Sequence, residues 1–213
     1  MVKFVTTFLL AVTLLAGNTY AGPPDWLVRI FVNEDGPKVG EGMFSPESLG
    51  SGVLVAEDLV VTNNHVVRDA LKGRDQVQVM FPDWSVAGWA EVIKTDPEND
   101  LALIRIKTTK RTPVKLDKTV EVLDSGTIHG YAYGLYGYGS GTVTGHALAI
   151  SEGEEKGHSV VELTGISARL GDSGGGVVNS DGELIGITSM SDQVSVTYFI
   201  PTQKVIDLMK LVQ

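Results

Sequence analysis

Gly171-Asp172-Ser173-Gly174-Gly175 is the stretch on which the reading of this chain turns. A serine flanked by glycines can occupy a tight backbone turn that aims two amide N–H groups at one point. Those of Gly171 and Ser173 are the pair so placed, and together they suit a developing oxyanion. An ordinary glycine turn with an exposed serine would read the same way locally, so the pentapeptide has to be weighed against the rest of the chain. It also satisfies the Gly-x-Ser-x-Gly elbow of parallel-sheet hydrolases, where an acid and then a histidine follow the serine. All four histidines here, His65, His129, His146 and His158, precede Ser173. Chain order therefore excludes that elbow.

Outward from the pentapeptide, short apolar and β-branched runs recur between Gly, Asp and Asn punctuation. They are Trp26 to Val32, Gly52 to Val55, Leu59 to Thr62, Gln76 to Phe81, Trp89 to Lys94 and Ala102 to Ile106. The second half continues with Ser125 to Tyr133, Gly141 to Ile150, Ser159 to Leu163, Gly175 to Val178, Glu183 to Ser189 and Val194 to Ile200. Such spacing predicts antiparallel β-structure, and the lack of helices between runs argues against a doubly wound parallel sheet. Helical periodicity comes only at the end. There Thr202 caps a stripe of Val205, Ile206, Leu208, Met209 and Val212, predicting a helix over about 202–212 packed on the β-structure. The cationic stretch Lys107 to Lys115 divides the halves, giving boundaries of about 25–107, a linker of about 108–117, and about 118–200. Asn33 to Gly50 and the Gly/Tyr segment Gly130 to Gly145 read as surface loops.

A serine hydroxyl needs an imidazole to take its proton. His65 ends Val60-Val61-Thr62-Asn63-Asn64-His65, an apolar strand breaking into a polar turn, where a side chain can leave the sheet and face a cleft. His129, His146 and His158 lie near glycines in expected loops and read as surface residues. The imidazole in turn needs a carboxylate to hold its tautomer. Asp100 leads directly into Leu101-Ala102-Leu103-Ile104, a position that is costly for an acid without a partner. Asp96 and Glu98 fit a surface turn better.

Composition bounds the rest. At 213 residues with 43% hydrophobic content, the chain suits one medium domain or two small ones sharing a core. Residues 1–21 have a single charge, Lys3, then an apolar run from Phe4 to Ala16 and small residues at the end, the layout of a secretory signal peptide cleaved after Ala21. About thirteen apolar residues are too few for a membrane anchor, so no stable anchor is expected after cleavage. Cleavage would deepen the formal charge of −9 by one unit. An acidic surface disfavours nucleic acid and anionic lipid. With no cysteine, thiol nucleophiles, disulfides and thiolate zinc sites are excluded, and no His-Glu-x-x-His motif or other sign of a metal or cofactor is present.

Taken in order, these residues resemble the trypsin-like serine peptidases, most closely the HtrA/Deg branch. Gly50-Ser51-Gly52-Val53, then Val61-Thr62-Asn63-Asn64-His65-Val66-Val67, Asp100-Leu101-Ala102-Leu103, Gly171-Asp172-Ser173-Gly174-Gly175, and Gly186-Ile187 before Ile200-Pro201 follow the family's order and spacing. The match covers roughly residues 26–210. The resemblance implies an all-β fold of two six-stranded antiparallel β-barrels with a short C-terminal α-helix. It implies an exported endopeptidase, periplasmic or secreted, with polypeptide substrates. Catalytic His65 and Asp100 would come from the first barrel and Ser173 from the second, with Gly171 and Ser173 forming the oxyanion hole and Ser189 supporting the acid. By alignment of motifs, Ser167 lies at the base of the primary pocket, with Ala168, Met190, Ser191 and Ser195 as walls. A base without a carboxylate predicts a small or medium uncharged residue at P1.

The chain departs from the branch in two places. It ends about a dozen residues after Ile200-Pro201, where HtrA proteins usually continue into PDZ domains, which makes a stand-alone protease domain over 22–213 the expectation. Asp172 stands where the branch usually has Asn, and no Ile-Val-Gly-Gly start is present to neutralise it, leaving its partner open. Two rival readings stay in play: a protease-fold binding or chaperone-like module with little turnover, and a latent protease whose oxyanion loop orders on oligomerisation or substrate binding. The Asn33 to Gly50 loop could serve a homo-oligomer contact.

Overall fold

The computed structural model describes residues 22–33, 49–68, 70–72, 76–149 and 157–212. The expected signal peptide and almost all of the Asn33 to Gly50 loop lie outside the described residues.

Six strands make the first half: β1 (Leu27–Asn33), β2 (Leu49–Ala56), β3 (Leu59–Thr62), β4 (Gln76–Met80), β5 (Val86–Asp96) and β6 (Leu101–Arg105). The short helix α1 (Asn64–Val67) follows β3. Six more make the second: β7 (Ser125–Ala132), β8 (Leu135–Ala149), β9 (His158–Thr164), β10 (Gly176–Val178), β11 (Leu184–Ser191) and β12 (Val196–Pro201), before helix α2 (Thr202–Met209). Each set closes into an antiparallel barrel, in the orders β1-β2-β3-β6-β5-β4 and β7-β8-β9-β12-β11-β10. The two orders are the same topology used twice. Closure leaves neither barrel with an exposed sheet edge.

The period of two along the strands sends alternate residues to different cores. In β6, Ala102 and Ile104 face the interior of the first barrel with Val28, Ile30 and Val60. Leu101 and Leu103 point the other way, into a cluster with Val178, Leu184, Ile187 and Ile200 of the second barrel and Val205 and Leu208 of α2. That cluster joins the barrels, so β3 and β6 are apolar on both faces. Ile128, Val161, Leu163, Ile185 and Phe199 fill the second barrel. Between the barrels, Val114 N donates to Leu54 O at 3.0 Å and Leu184 N to Lys115 O at 2.7 Å, so this strandless connection is pinned to both.

Two expectations need correction. The Gly130 to Gly145 segment is not a surface loop but most of the β7–β8 hairpin, paired from Ser125↔Thr142 to Ala132↔Leu135. Its turn is Tyr133-Gly134, with φ of 51° and 82°. Positive φ at both central residues suits the right-handed twist of a two-residue hairpin, and the glycine makes that inexpensive. Two glycines of β8 are packing positions: a Cβ on Gly139 would collide with Ile166, and one on Gly141 with Thr164 O. Nor are the other histidines all on the surface. His146 is exposed, but His158 is buried in β9, and His129 is half-buried in a ring stack with Tyr136 and Tyr138.

Candidate active site

The apolar β3 runs out at buried Thr62 and Asn63, and α1 turns His65 back toward the start of β6. Opposite it, Asp96 caps the 3-10 turn Pro97–Asn99 by accepting from Asn99 N at 3.1 Å. The turn ends on Asp100 in the left-handed region (φ 50°, ψ 44°), a conformation that Asp tolerates better than most side chains. The Asp100 carboxylate then meets His65 twice: Oδ1 accepts from the backbone N at 3.0 Å, and Oδ2 lies 2.8 Å from Nδ1. Asn63 Nδ2 and Asn64 N hold the Asp100 carbonyl at 3.0 and 3.1 Å. Burial pushes the Asp100 pKa up, but hydrogen bonds from the His65 side chain and backbone and from Ser189 outweigh it and leave the group below the ordinary carboxylate value.

Ser189 reaches the cluster from β11. Its Oγ donates to Asp100 Oδ2 at 2.9 Å, and its backbone carbonyl accepts from Ser173 Oγ at 3.2 Å. The structure therefore brings Asp100, His65, Ser189 and Ser173 to one place between the barrels. Among the described residues, the Ser173 hydroxyl has Ser189, and not His65, as its hydrogen-bond partner.

The loop before Ser173 has a consistent orientation. Five consecutive carbonyls are occupied: Arg169 O accepts from Asp172 N, Leu170 O from Tyr133 N at 2.7 Å, and Gly171 O from Ser51 Oγ at 2.8 Å. Asp172 O accepts from Gly175 N at 2.9 Å, and Ser173 O from Ser51 N at 2.8 Å. A trans peptide directs its N–H opposite to its C=O. The Gly171 N–H therefore points away from Tyr133, and the Ser173 N–H away from Gly175. Among the described residues no acceptor meets either one. Two unspent amide donors on the loop that carries Ser173 are what an oxyanion site requires.

Asp172, whose partner the sequence left open, is buried, and its Oδ2 accepts from Arg169 N at 2.9 Å. Burial raises its pKa, and bonds from Arg169 and Ala132 only partly oppose that.

Beside Ser173 lies a cavity of about 870 Å³ lined by Ser167, Ala168, Met190 and Ser191. Ser191 Oγ and Ser167 Oγ both donate to Ala168 O, at 2.7 and 3.4 Å, so the pocket hydroxyls are satisfied internally. Ser195 is not among the lining residues. Asp192 Oδ1 gathers the N–H groups of Val194, Ser195 and Val196 at 2.8 Å each, and this turn presents Gln193 and Val194 to the cavity instead. Tyr133, Gly137 and Tyr138 of the β7–β8 hairpin also line it, which sequence reading missed by treating that hairpin as a loop. It also passed over Ser51 as a single residue. Only the 120-residue separation closed by its bond to Gly171 makes its position meaningful.

Among the described residues no cluster of three or more His, Cys, Asp or Glu could hold a metal, and no helix is long and apolar enough to cross a membrane.

Twin six-stranded barrels with serine, histidine and aspartate gathered between them define a trypsin-like architecture. A model of the trypsin-like peptidase domain matches residues 50–187, and the chain belongs to that family. Within it, the chain is similar to the HtrA proteases. It is 32% identical over 170 residues to Serine protease HTRA1 of Xenopus laevis, covering 75% of this chain and 35% of that protein. To the periplasmic serine endoprotease DegP of Salmonella typhimurium it is 33% identical over 173 residues, covering 76% of this chain and 35% of DegP. The serine endoprotease of Yersinia pestis superposes with a TM-score of 0.68 at 23% identity, covering 88% of this chain and 62% of that one. The chain thus spans about a third of the length of these curated relatives.

Proposed function

We propose that this chain is a serine endopeptidase in which Ser173 attacks the scissile carbonyl, His65 carries its proton to the leaving amine, and water hydrolyses the resulting acyl-enzyme. The observation that carries the reading is the doubly bonded His65–Asp100 pair beside a serine whose loop offers two unspent N–H groups. Asp100 holds the imidazole tautomer, Ser189 holds Asp100, and Gly171 and Ser173 donate to the oxyanion. Residues 22–213 make up the protease domain, preceded by a cleaved signal peptide, and the product is exported. A periplasmic place is in keeping with the DegP relative's name.

Ser167, Ala168, Met190 and Ser191 shape the primary pocket. Their small, uncharged surface favours an uncharged P1 residue.

One observation bears on latency. The Ser173 hydroxyl is turned to the Ser189 carbonyl, a resting rotamer that a bound peptide would displace by claiming that carbonyl. The non-catalytic binding reading has no observation of its own in its favour.

Labelling of the purified protein with a fluorophosphonate probe, with and without peptide, tests both points. We expect labelling of Ser173 that peptide accelerates. Turnover should favour Val or Ala over Arg at P1, and Ser173→Ala should lower it by roughly a million-fold if the triad acts as a unit. Unchanged cleavage by Ser173→Ala would overturn the assignment, and absence of labelling would favour the binding module.

A further inference from the structure

Arg29 is an unusual residue for its position. It lies in the middle of β1, paired with Ser51 on one side and Met80 on the other, and its surface is only 4% exposed. A buried arginine is rare unless something receives the charge. Here its guanidinium carbon sits 4.2 Å from the centroid of the Trp84 ring and 3.9 Å from that of Tyr131. Trp84 belongs to the β4–β5 turn of the first barrel and Tyr131 to β7 of the second, so the cation is layered between rings from two barrels. Planar guanidinium stacks well on aromatic faces, where an ammonium would not.

The Nε group adds direction. It donates to the carbonyl of Gly134 at 3.2 Å, across 105 residues of sequence. Gly134 is the second residue of the β7–β8 turn, and the first, Tyr133, uses its N–H to hold Leu170 O at 2.7 Å. That bond sets the plane of the Leu170–Gly171 peptide and with it the direction of the Gly171 N–H. A rotation of this plane would replace a donor with a carbonyl at the oxyanion site. Gly171 sits at φ 100°, and a Cβ built there would collide with Tyr131 O and crowd Tyr133 N, so the loop packs directly against the backbone of the hairpin turn.

We propose that Arg29 is a positioning residue: from the first barrel it clamps the Tyr133–Gly134 turn and thereby keeps the Gly171 N–H aimed at the oxyanion. The inference rests on the peptidase reading above, and on the chain of contacts from Trp84 through Arg29, Gly134, Tyr133 and Leu170 to Gly171. Trp84 is the outer plate of the clamp and is 48% exposed, so the assembly can be loosened from the surface without opening the core.

Arg29→Met keeps the apolar stem and removes the donor and the charge. Arg29→Lys keeps the charge and one possible donor. Trp84→Ala removes the outer ring alone. Two measurements decide the matter. The first is kcat and KM on a chromogenic peptide. Because the oxyanion donor acts mainly in the transition state, Arg29→Met should lower kcat about ten- to a hundred-fold and move KM less than about twofold. Arg29→Lys should recover part of the loss, and Trp84→Ala should show about a three- to tenfold fall. The second is site-resolved amide hydrogen exchange. The Tyr133 amide should exchange at least about tenfold faster in Arg29→Met while the amides of Val60 and Ile104 keep their protection.

Wild-type kcat in folded Arg29→Met, or unchanged Tyr133 exchange, would overturn the proposal. So would a fall in kcat accompanied by loss of protection throughout the first barrel, the mark of a merely structural residue. If Arg29→Met does not fold, Trp84→Ala carries the test with the same two readouts, and wild-type values in both would overturn it. If the wild-type protein hydrolyses no peptide, the peptidase reading falls while exchange at Tyr133 still decides the clamp.

Discussion

Asp172 shows how one carboxyl can set the terms for its neighbourhood. It is buried beside Ser173, accepting backbone N–H groups from Arg169 and Ala132, and its pKa is raised by that burial. A raised folded-state pKa means that the native protein binds the proton more tightly than the unfolded chain. The native state is therefore favoured below the raised value, and stability falls as pH climbs through the window above the ordinary carboxyl value of about 3.9. Asp172→Asn removes the buried charge and can keep the acceptor facing Arg169. The melting temperature of the variant relative to wild type should rise as pH increases from about 4 to 7, and a flat difference would show that Asp172 is not titrating in the fold. Asp100 has the opposite sign. Its lowered pKa stabilises the fold above the ordinary carboxyl range, and that contribution is lost as pH falls through the folded value.

The β7–β8 hairpin is the element that does most for the candidate site beyond His65, Asp100 and Ser173 themselves. Its turn holds Leu170 O, residues of both its strands line the cavity, and β7 carries His129 within a ring stack. Trp26 meets the His129 ring edge-on at 5.5 Å, and Tyr136 Oη lies 3.0 Å from Nδ1. Desolvation lowers the His129 pKa to about 4. The unfolded chain therefore takes up a proton that the native state refuses, and stability drains away as pH falls from about 6.5 to 4. His129→Phe keeps a stacking ring and removes the titration. Its melting temperature should fall less steeply than that of wild type across this window, as calorimetry at several pH values would show. The alternation of Gly and Tyr along the hairpin was visible in the sequence, but that composition is shared by loops and strands. What separated them was the register that closes a two-residue turn and the fit of Ile166 against a bare Gly139, the latter a contact with a residue distant in sequence.

At the scale of the whole molecule, the two barrels share one apolar cluster and a few polar ties, and Ser51 is the centre of those ties. Fully buried on β2, it donates to Gly171 O, and its Oγ accepts from Tyr131 N at 2.9 Å. Ser51→Ala would leave a buried N–H and a buried carbonyl unpaired, an expected loss of about 2–4 kcal/mol on urea unfolding. A loss under about 0.5 kcal/mol would mean that the barrels do not depend on this contact. The twelve strands, the terminal helix, and His65, Asp100 and Ser173 as candidates were legible in the sequence, because apolar β-branched runs and glycine punctuation are local properties and the order of motifs is written along the chain. Ser195 is absent from the cavity lining because three amides converging on Asp192 fold a turn that presents Gln193 and Val194 there instead, which no linear spacing records. Gly171-Asp172-Ser173-Gly174-Gly175 by itself determined that a serine would sit on a tight glycine turn. Only the tertiary structure decided which way that turn faces. The peptide planes are set by Tyr133, Ser51 and Gly175, and the first two reach the loop from a hairpin turn and a strand distant in sequence, where hydrogen bonding is a matter of distance through space rather than along the chain.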